Sequence, residues 1–466
     1  MERFKGEITI FLSLLMSFVL LGVGALTELA RASLIKGQIV MDTNNALCSA
    51  LAEYNRPMLN KYNIFVMDGA YGRANINLKK LTDRMENYYM GATGNSGSLL
   101  RYSLSKLELS SYEFATDKCG QAIYKQIIDY MKKKYGLDIV EGLTGLSDGI
   151  SEYVSNKNQQ EETKSSLSEE TTKGISFFEG IADLLKGNKM EQVLGVFPAS
   201  NLCLSEESKL SGRRADLFTG KGMSEPSITD KLLYNKYLLE NFKHCRLTNE
   251  EVNEDNNTSP LLYEVEYIIG GKNKDRDNLA EVIDKLVLFR QVLNLAYVER
   301  DSARVAEAEA IATTLLAITG NPGIIEAGKH VILAAWAHAE AICDVRSLLT
   351  GEKVPLNKSA ANWHTQMSAI IFPRGTGTHS SESGYVYKDY LNILMLMENT
   401  ADISIRTMDL MEANIRRTEG YENFSMDNCI VGLGVEGSFD MRHIFGNIHT
   451  SKYKYEGNVS YESLKE

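Results

Sequence analysis

The sequence of 466 residues is poor in proline and has no excess of positive charge. Because it contains only 7 prolines, long stretches are free to form helices. The formal net charge is -11, and Lys and Arg do not gather in a basic cluster. Nucleic-acid binding requires such a cluster, so we expect no nucleic acid among the partners of this chain.

Closely spaced metal-binding cysteines are also missing. None of the six cysteines belongs to a CxxC pair, which argues against a zinc or thioredoxin-type site. An extracytoplasmic location would permit disulfides, and their pairing stays open. The simpler expectation is that most of the six are small buried apolar residues. They are Cys48, Cys119, Cys203, Cys245, Cys343 and Cys429.

What the sequence does have is one long uncharged run, Ile8 to Leu26. As a helix this run is about 28 Å long, close to the roughly 30 Å hydrocarbon core of a bilayer. Lipid offers no hydrogen-bond partners, so the run must be helical there. We therefore expect a single-pass membrane protein whose partner through this run is the lipid bilayer, with a cytoplasmic N-terminus and the bulk of the chain outside the cytoplasm.

Two other interpretations of the N-terminus are open. A cleaved signal peptide would use Ala30–Ala32 as its A-x-A site, but the apolar run is longer than the usual apolar region of such peptides. A prepilin-type leader would end at Lys5–Gly6, but Phe11 stands where pilins have Glu. An uncleaved anchor fits the length best.

The helical pattern continues beyond the apolar run. Positions from Leu26 to Tyr54 recur at spacings of three and four, which predicts one face of a continuing helix. Pro57 should end it, giving a helix from about residue 8 to 55 that is roughly 70 Å long.

Further along, alternating and periodic patterns predict strands and helices. The alternation of residues in Leu261–Ile269 predicts a strand in which Glu264 and Glu266 face water. Residues 207–228 and 249–260 should be exposed loops. The other predicted strands are Tyr62–Asp68, a pair within Leu104–Thr116, and Cys429–Phe439; the predicted helices are 74–91, 119–135, 277–298, 302–319, 323–349, 385–399 and 400–417.

These elements predict an α+β fold. A long N-terminal transmembrane helix continues into a mixed sheet with covering helices, and the C-terminal half is mainly a helical bundle. Val331–Val345 should be its central buried helix. The predicted segments are a transmembrane and extended N-terminal helix (1–56), an α+β extracytoplasmic region (57–154), a polar linker (155–172), a loop-rich helical region (173–260), a strand, helical bundle and C-terminal strand (261–450), and a polar tail (451–466).

Several polar motifs near the expected bundle are candidate sites. Gly270–Lys272 lacks the spacing of a phosphate-binding loop and predicts a structural turn. Asp275 and Asp277 begin a helix without calcium-loop spacing, which favours capping and compensation of the helix dipole.

The polar residues of the central helix, His338, Glu340 and Asp344, also favour a structural interpretation. His338 and Asp344 are six residues apart and do not share a helix face, so we expect buried hydrogen-bonded groups and no metal site. Asp344 and Arg346 should pair with neighbouring helices. His379 follows a Gly-Thr repeat, and we expect this segment to be a flexible loop. We expect no catalytic, cofactor-binding or metal-binding residues, and no enzyme activity.

Several blocks together carry a resemblance to a known group of proteins. They include AEYNRPMLNKYNIFVMDGAYG (52–72), LLYEVEYIIGGKNKDRDNLAEVIDKLVLFRQVLN (261–294) and AWAHAEAICDVRSLLTGEKVPL (335–356). With the anchor, these blocks resemble an uncharacterised bacterial family of single-span proteins associated with tight-adherence (Tad) pilus genes, whose layout is similar to pseudopilins.

This resemblance implies a structural or assembly component of a Tad-like pilus or secretion apparatus, with pilus or secretion-machine subunits as partners. Two other functions are kept as alternatives. A tethered extracellular ligand-binding or sensory module would show a concave, largely apolar pocket. A surface enzyme would show clustered ionisable residues with shifted pKa values in a cleft.

Overall fold

The computed structural model describes most of the chain as two compact units. Unit 1 comprises residues 1–117 and 418–466, and unit 2 comprises residues 118–417. These two units divide the chain differently from the six segments predicted above. The described residues are 3–93, 100–136, 149–158, 176–195, 200–213, 223–245, 259–367, 381–382, 384–443 and 450–465.

Unit 1 begins with helix α1 (Arg3–Leu51), which is 49 residues and therefore about 74 Å long. The predicted continuous helix is thus confirmed, although it ends four residues early. Pro57 lies in the first turn of the next helix, α2 (Arg56–Tyr62), where a missing N–H costs nothing. The Asn55 side chain accepts a hydrogen bond from the Met58 N–H and caps this helix.

The rest of unit 1 is a helix and a small antiparallel sheet. The elements are α3 (Leu78–Thr93), β1 (Met67–Asp68), β2 (Tyr102–Phe114), β3 (Cys429–Arg442) and β4 (Thr450–Ser460). Strand β3 pairs with all three other strands, and all three pairings are antiparallel. The prediction of a mixed sheet is therefore wrong. The central strand comes from the C-terminal end of the chain and joins β1 and β2, which are more than 300 residues away in sequence.

Helix α1 packs on this sheet through its second half. Ile35 and Ile39 are fully buried in a cluster with Tyr89 and Phe439. The Asp42 carboxylate, buried in the same region, accepts a hydrogen bond from the Tyr102 hydroxyl. The N-terminal half of α1 therefore differs from the C-terminal half, which supplies part of the core of unit 1.

Unit 2 is helical in its described residues. Besides a helical stretch at 149–158, its helices are α4 (Asp117–Tyr135), α5 (Ser176–Lys186), α6 (Lys189–Leu194), α7 (Leu210–Arg213), α8 (Ile228–Asn241), α9 (Glu264–Gly270), α10 (Asp275–Val298), α11 (Ser302–Leu316), α12 (Pro322–Leu349), α13 (Tyr387–Met397) and α14 (Thr400–Ile415). The helices predicted from residue 277 onward are all confirmed.

The central helix of the bundle is α12, as predicted. It starts at Pro322, and the Asn321 side chain caps it by accepting a hydrogen bond from the Gly323 N–H at 2.9 Å. Between Ala335 and Val345 every residue is buried, so the helix is surrounded on all sides there. Its polar residues in this stretch must consequently find partners inside the protein.

The strand predicted at Leu261–Ile269 is wrong, because Glu264–Gly270 forms the helix α9. Glu264 and Glu266, expected to face water, are 3% and 0% exposed. The alternation was misleading because this segment is buried on every side and its two carboxylates are bound internally. Gly271 ends the helix with φ of 68°, and its N–H donates to the Tyr267 carbonyl at 2.8 Å.

Four smaller predictions need correction. Only Met67–Asp68 of the predicted strand Tyr62–Asp68 is a strand, since Tyr62 ends α2. Leu104–Thr116 belongs mostly to one strand, β2, and forms no strand pair by itself. Residues 207–228 include Leu210, which is fully buried in α7. The polar tail pairs with β3 as strand β4.

The cysteines follow the simpler of the two expectations. All six are thiols that form no disulfide in the structure. Cys119, Cys245, Cys343 and Cys429 are buried, so the prediction that most are small buried residues is confirmed. Of the predicted linker, 159–172 lies outside the described residues, as does 249–258 of the second predicted loop.

We call the part of α1 from Ile35 to Leu51, which packs on the sheet, the docking half. Substitutions in the docking half test its role in the core of unit 1. Leu47 is fully buried, whereas Leu34 on the same helix is 63% exposed. We expect Leu47→Ala to lower the free energy of unfolding by about 2–5 kcal/mol, because it leaves a cavity. Leu34→Ala is the matched control and should change it by less than about 0.5 kcal/mol. Denaturant titration of the full chain in detergent measures both, and equal effects would contradict the described packing.

Candidate functional site

The densest group of buried charges lies in unit 2, where α10 and α12 face the loop after α12. Glu340 and Asp344 are four residues apart on α12, so they share one helix face. Arg290 comes from α10, and Lys358 comes from the loop. Their side chains are between 0% and 4% exposed. We call these four residues the charge cluster.

Lys358 bridges the two carboxylates of the cluster. Its Nζ donates to Glu340 Oε1 at 2.6 Å and to Asp344 Oδ1 at 2.7 Å. A third hydrogen bond of 3.0 Å goes to the carbonyl of Asn362. The other oxygen of Glu340, Oε2, accepts from the backbone N–H of Thr365 at 2.8 Å and of His364 at 3.3 Å. Glu340 is therefore held between an ammonium and two backbone donors.

Arg290 neutralises the far side of Asp344. Its Nη2 lies 3.0 Å from Asp344 Oδ2, and its Nη1 donates to the carbonyls of Pro355 and Leu356 at 3.0 and 2.8 Å. Asn294 also donates to Asp344 Oδ2, at 3.0 Å. Burial alone would raise the pKa of Asp344, but the charges of Arg290 and Lys358 outweigh burial and hold this pKa below its usual range.

The other polar residues of α12 lie apart from the charge cluster. His338 Nδ1 and Nε2 lie 3.2 and 3.1 Å from the side-chain oxygens of Gln291 and Gln192. Burial, assisted by the charge of Lys189, lowers the pKa of His338 to about 4, so this imidazole is neutral at physiological pH. His338 is thus a buried hydrogen-bonded residue, as predicted, although its partners are glutamines.

The predicted pairing of Asp344 and Arg346 with neighbouring helices is confirmed in both cases. Asp344 pairs with Arg290 of α10. Arg346 instead binds backbone carbonyls at the end of α6, through Nε to Val193 at 2.9 Å and through Nη2 to Gln192 at 2.8 Å. Arg346 thereby closes the unsatisfied C-terminal end of that helix.

A second group of buried carboxylates surrounds α9. Glu266 accepts hydrogen bonds from the Cys245 N–H and the Tyr387 hydroxyl, both at 2.8 Å, while its Oε2 has no hydrogen-bond partner. Asp409 accepts from the Leu210 N–H at 2.7 Å and the Tyr267 hydroxyl at 2.8 Å. Burial raises the pKa of both Glu266 and Asp409 to about 7, so each is partly protonated at neutral pH.

The turn after α9 is structural, as predicted for Gly270–Lys272. The Lys272 N–H donates to Asn278 Oδ1 at 2.7 Å, which ties the turn to α10. Asp275 and Asp277 lie in the first turn of α10, where negative charge opposes the helix dipole. Asp275 also accepts from the Leu262 N–H at 2.9 Å and the Ser200 hydroxyl at 2.7 Å.

A metal site and a surface groove are two further possibilities in the described part of the chain. No group of three or more His, Cys, Asp or Glu residues that could hold a metal ion occurs there. An open groove of about 330 Å³ lies on the sheet of unit 1, where Gly432 of β3 has no side chain. Its other walls include Ser111–Glu113 of β2 and Asn458–Ser460 of β4. His379 and the Gly-Thr repeat lie outside the described residues.

Helix α1 contains the candidate membrane-spanning segment. It is the one helix of the described chain that is long and apolar enough to cross a bilayer, and no residue of its most apolar part is buried in unit 1. Large apolar side chains such as Phe11, Phe18 and Leu21 are 65%, 76% and 73% exposed. This exposure is consistent with a single-pass membrane anchor.

Comparison with known proteins identifies a family for this chain. Residues 167–441 match the model of a family of unknown function, DUF5702. The chain belongs to the DUF5702 family. No curated protein and no solved structure matches it. The DUF5702 match covers most of unit 2 and nearly all of strand β3, and it leaves out helix α1.

Only part of the charge cluster was predictable from the sequence. Glu340 and Asp344 stood out as polar residues of the central helix, whereas Arg290 and Lys358 were missed. Arg290 stands inside the apolar stretch LVLFRQVLNL, and a lone charge in such a stretch indicates a buried partner. Lys358 gave no comparable signal, because it lies in a loop and pairs with residues 14 and 18 positions earlier.

Breaking the charge cluster on one side should be strongly destabilising. Arg290→Met leaves Asp344 with one cation fewer, and we expect a loss of about 3–5 kcal/mol in the free energy of unfolding. The exposed Arg276→Met at the start of α10 is the control and should have little effect. Thermal unfolding of the full chain in detergent measures both variants. A melting temperature of Arg290→Met equal to that of the control would contradict a stabilising role of the cluster.

The carboxylates around α9 predict a pH dependence of stability. The folded pKa of Glu266, about 7, exceeds the ordinary value of 4.5. Folding therefore favours the protonated form. This contribution is fully present below pH 4.5 and is lost as the pH rises through 7. We expect denaturant unfolding to show falling stability over that window.

The variant Glu266→Gln cannot ionise and should flatten this profile, and adding Asp409→Asn should flatten it further. Glu108→Gln, an exposed carboxylate in β2, should leave the slope unchanged. A slope that Glu266→Gln does not alter would show that this carboxyl is not the titrating group.

Proposed function

We propose that this DUF5702 protein is a membrane-anchored extracytoplasmic component, structural or assembly-related and non-catalytic, of a Tad-like pilus or secretion apparatus. In this proposal the N-terminus is cytoplasmic and both units lie outside. The observation that carries the proposal is the continuity of α1, whose first half is exposed and apolar and whose second half belongs to the core of unit 1. A flexible tether would be rich in Gly, Ser and Pro instead.

The first half of α1, which we call the lipid half, has the length that a bilayer requires. Its backbone groups are satisfied within the helix, and the run from Ile8 to Leu26 carries no charged side chain. Water would be a poor solvent for this surface, since contiguous apolar patches of this size are rare on soluble proteins. A bilayer is the environment that removes the cost of this exposure.

The docking half fixes the orientation of unit 1 on the anchor. At the junction, Glu28 accepts hydrogen bonds from Arg31 Nη1 and His443 Nδ1, both at 2.9 Å. Further along, Ile35, Leu47 and Leu51 are fully buried. Because one rigid helix joins the lipid to this core, a force on the anchor acts directly on unit 1. Such coupling suits a structural or assembly subunit.

The buried charges of unit 2 also support a structural role. In the charge cluster each ionised group meets an opposite charge and hydrogen-bond partners. The assignment to a Tad-like machine rests on the sequence resemblance of the anchor and the blocks at 52–72, 261–294 and 335–356. A tethered ligand-binding module is the second candidate, and the open groove beside Gly432 is the observation that favours it.

The orientation can be tested with the exposed thiol of Cys203. We expect a membrane-impermeant maleimide to label this residue in intact cells, because the proposal places unit 2 outside. Cys203→Ser is the matched control and should remove the labelling. Labelling that appears only after the cells are lysed would contradict the proposed orientation.

The partner proposal needs a separate experiment. A photoreactive amino acid at Met41, on the exposed face of α1, should crosslink pilin or secretion-machine subunits in membranes. The same group at the exposed Glu108 of β2 reports nonspecific contacts. If the two positions crosslink the same proteins, or if none of them is a subunit of such a machine, this assignment fails while the membrane anchor stands.

A further inference from the structure

The charge cluster brings together the parts of an amide-forming reaction. Lys358 supplies a primary amine, Glu340 supplies a carboxyl group, and Asp344 supplies a second carboxylate. All three side chains are at most 4% exposed, so bulk water is excluded. Such exclusion favours condensation, because water is the product and is also the reagent of the reverse reaction.

We propose that Lys358 and Glu340 condense without a cofactor to form an intramolecular isopeptide bond, with Asp344 transferring the protons. Lys358 Nζ lies 2.6 Å from Glu340 Oε1, which places it at most about 3.8 Å from the carboxyl carbon. Reacting atoms in near-attack arrangements are about 3–3.5 Å apart, so only a small movement is needed.

Glu340, and not Asp344, is the group that is attacked. The backbone N–H of Thr365 donates at 2.8 Å to Glu340 Oε2, which is where negative charge develops when the amine adds to the carbon. The His364 N–H is shared between Oε2 at 3.3 Å and Oε1 at 3.2 Å. These donors are held in place because the indole N–H groups of Trp336 and Trp363 both donate to the Thr365 carbonyl, at 3.1 and 3.0 Å.

Asp344 has the position and the charge of a base. Its Oδ1 lies 2.7 Å from Lys358 Nζ, and Arg290 and Asn294 bind its Oδ2. The pKa of Asp344 is held low by these neighbouring cations against the effect of burial, so the group stays ionised. The backbone N–H of Thr365 can stabilise developing charge on Glu340, and this leaves Asp344 as the proton carrier.

The reaction balances within the cluster. Asp344 removes a proton from the ammonium, and the lone pair of Nζ then attacks the carboxyl carbon of Glu340. A new C–N bond forms, the bond between this carbon and Oε1 breaks, and Oε1 leaves as water with two of the three ammonium protons. Asp344 relays these protons and ends unchanged, and the third proton stays on the amide nitrogen.

Electrostatics favours the amide over the buried Lys358–Glu340 ion pair. A buried ion pair keeps a desolvation penalty that its mutual attraction does not fully offset, and a neutral amide avoids that penalty. The Arg290–Asp344 pair remains, so the cluster stays neutral overall. The product covalently links α12 to the loop after it. This crosslink would resist unfolding under load and is independent of the proposed function.

Mass spectrometry of the full chain purified in detergent tests the proposal. After tryptic digestion we expect a branched peptide in which residues 330–346 are joined to residues 354–374, lighter by one water molecule than the sum of the two. Trypsin cannot cleave at a modified Lys358, so the free peptide 354–358 should be lost. Recovery of separate peptides 330–346 and 354–358 from folded protein would overturn the proposal.

Variants separate the bond from the ion pair. Lys358→Arg keeps the charge but should give no branched peptide, whereas Lys353→Arg, an exposed neighbour, should give as much as the wild type. Asp344→Asn should slow bond formation at least tenfold while leaving Lys358 and Glu340 in place. A branched peptide that persists at wild-type yield and rate in folded Asp344→Asn would contradict the role of Asp344. The wild-type digest decides the existence of the bond even if a variant fails to fold.

Discussion

The structure depends on one constraint. The apolar side chains of a long helix must be removed from water, and α1 meets this requirement in two different ways. From Ile8 to Leu26 the helix carries no charge, and its apolar side chains are exposed on unit 1, as a bilayer requires. From Ile35 onward one face is buried against the sheet. The same secondary structure thus serves two environments, and the boundary between them lies near the Glu28–Arg31 ion pair.

Inside unit 2 the cost of burying charge shapes the architecture. The charge cluster neutralises Asp344 with two cations and gives Glu340 three donors. Around α9, Glu266 and Asp409 accept hydrogen bonds from neutral donors instead. Burial raises the pKa of both carboxyls to about 7. One unit therefore contains a buried aspartate, Asp344, that stays ionised and a pair of carboxyls that titrate near neutrality.

The sequence predicted the parts of this fold that depend on local periodicity. The continuous N-terminal helix, the helices after residue 277 and strand β3 were all recognisable, because their apolar spacing repeats over many residues. Periodicity failed at Glu264–Gly270, since a segment buried on every side has no polar face to reveal its period. It also could not show that β3 pairs with β2, because strand partners distant in sequence leave no local signal.

The candidate sites, too, were predictable only where they depend on local sequence and not on tertiary contacts. Glu340 and Asp344 were identifiable as polar residues in an apolar helix, and their expected burial was correct. The role of Lys358 depends on how the loop at Asn362–Thr365 folds back over α12, and that tertiary contact has no sequence signature. The family match places unit 2 in DUF5702 and adds no mechanism, so chemical proposals rest on geometry alone.

The central claim is that α1 runs without a break from the bilayer into the core of unit 1. Hydrogen–deuterium exchange of the bilayer-embedded full chain tests this most directly at the junction, residues 27–37. The account predicts slow amide exchange through the whole junction, continuous with the protection of the docked half. Rapid exchange confined to those residues would show a flexible hinge and would contradict the rigid coupling.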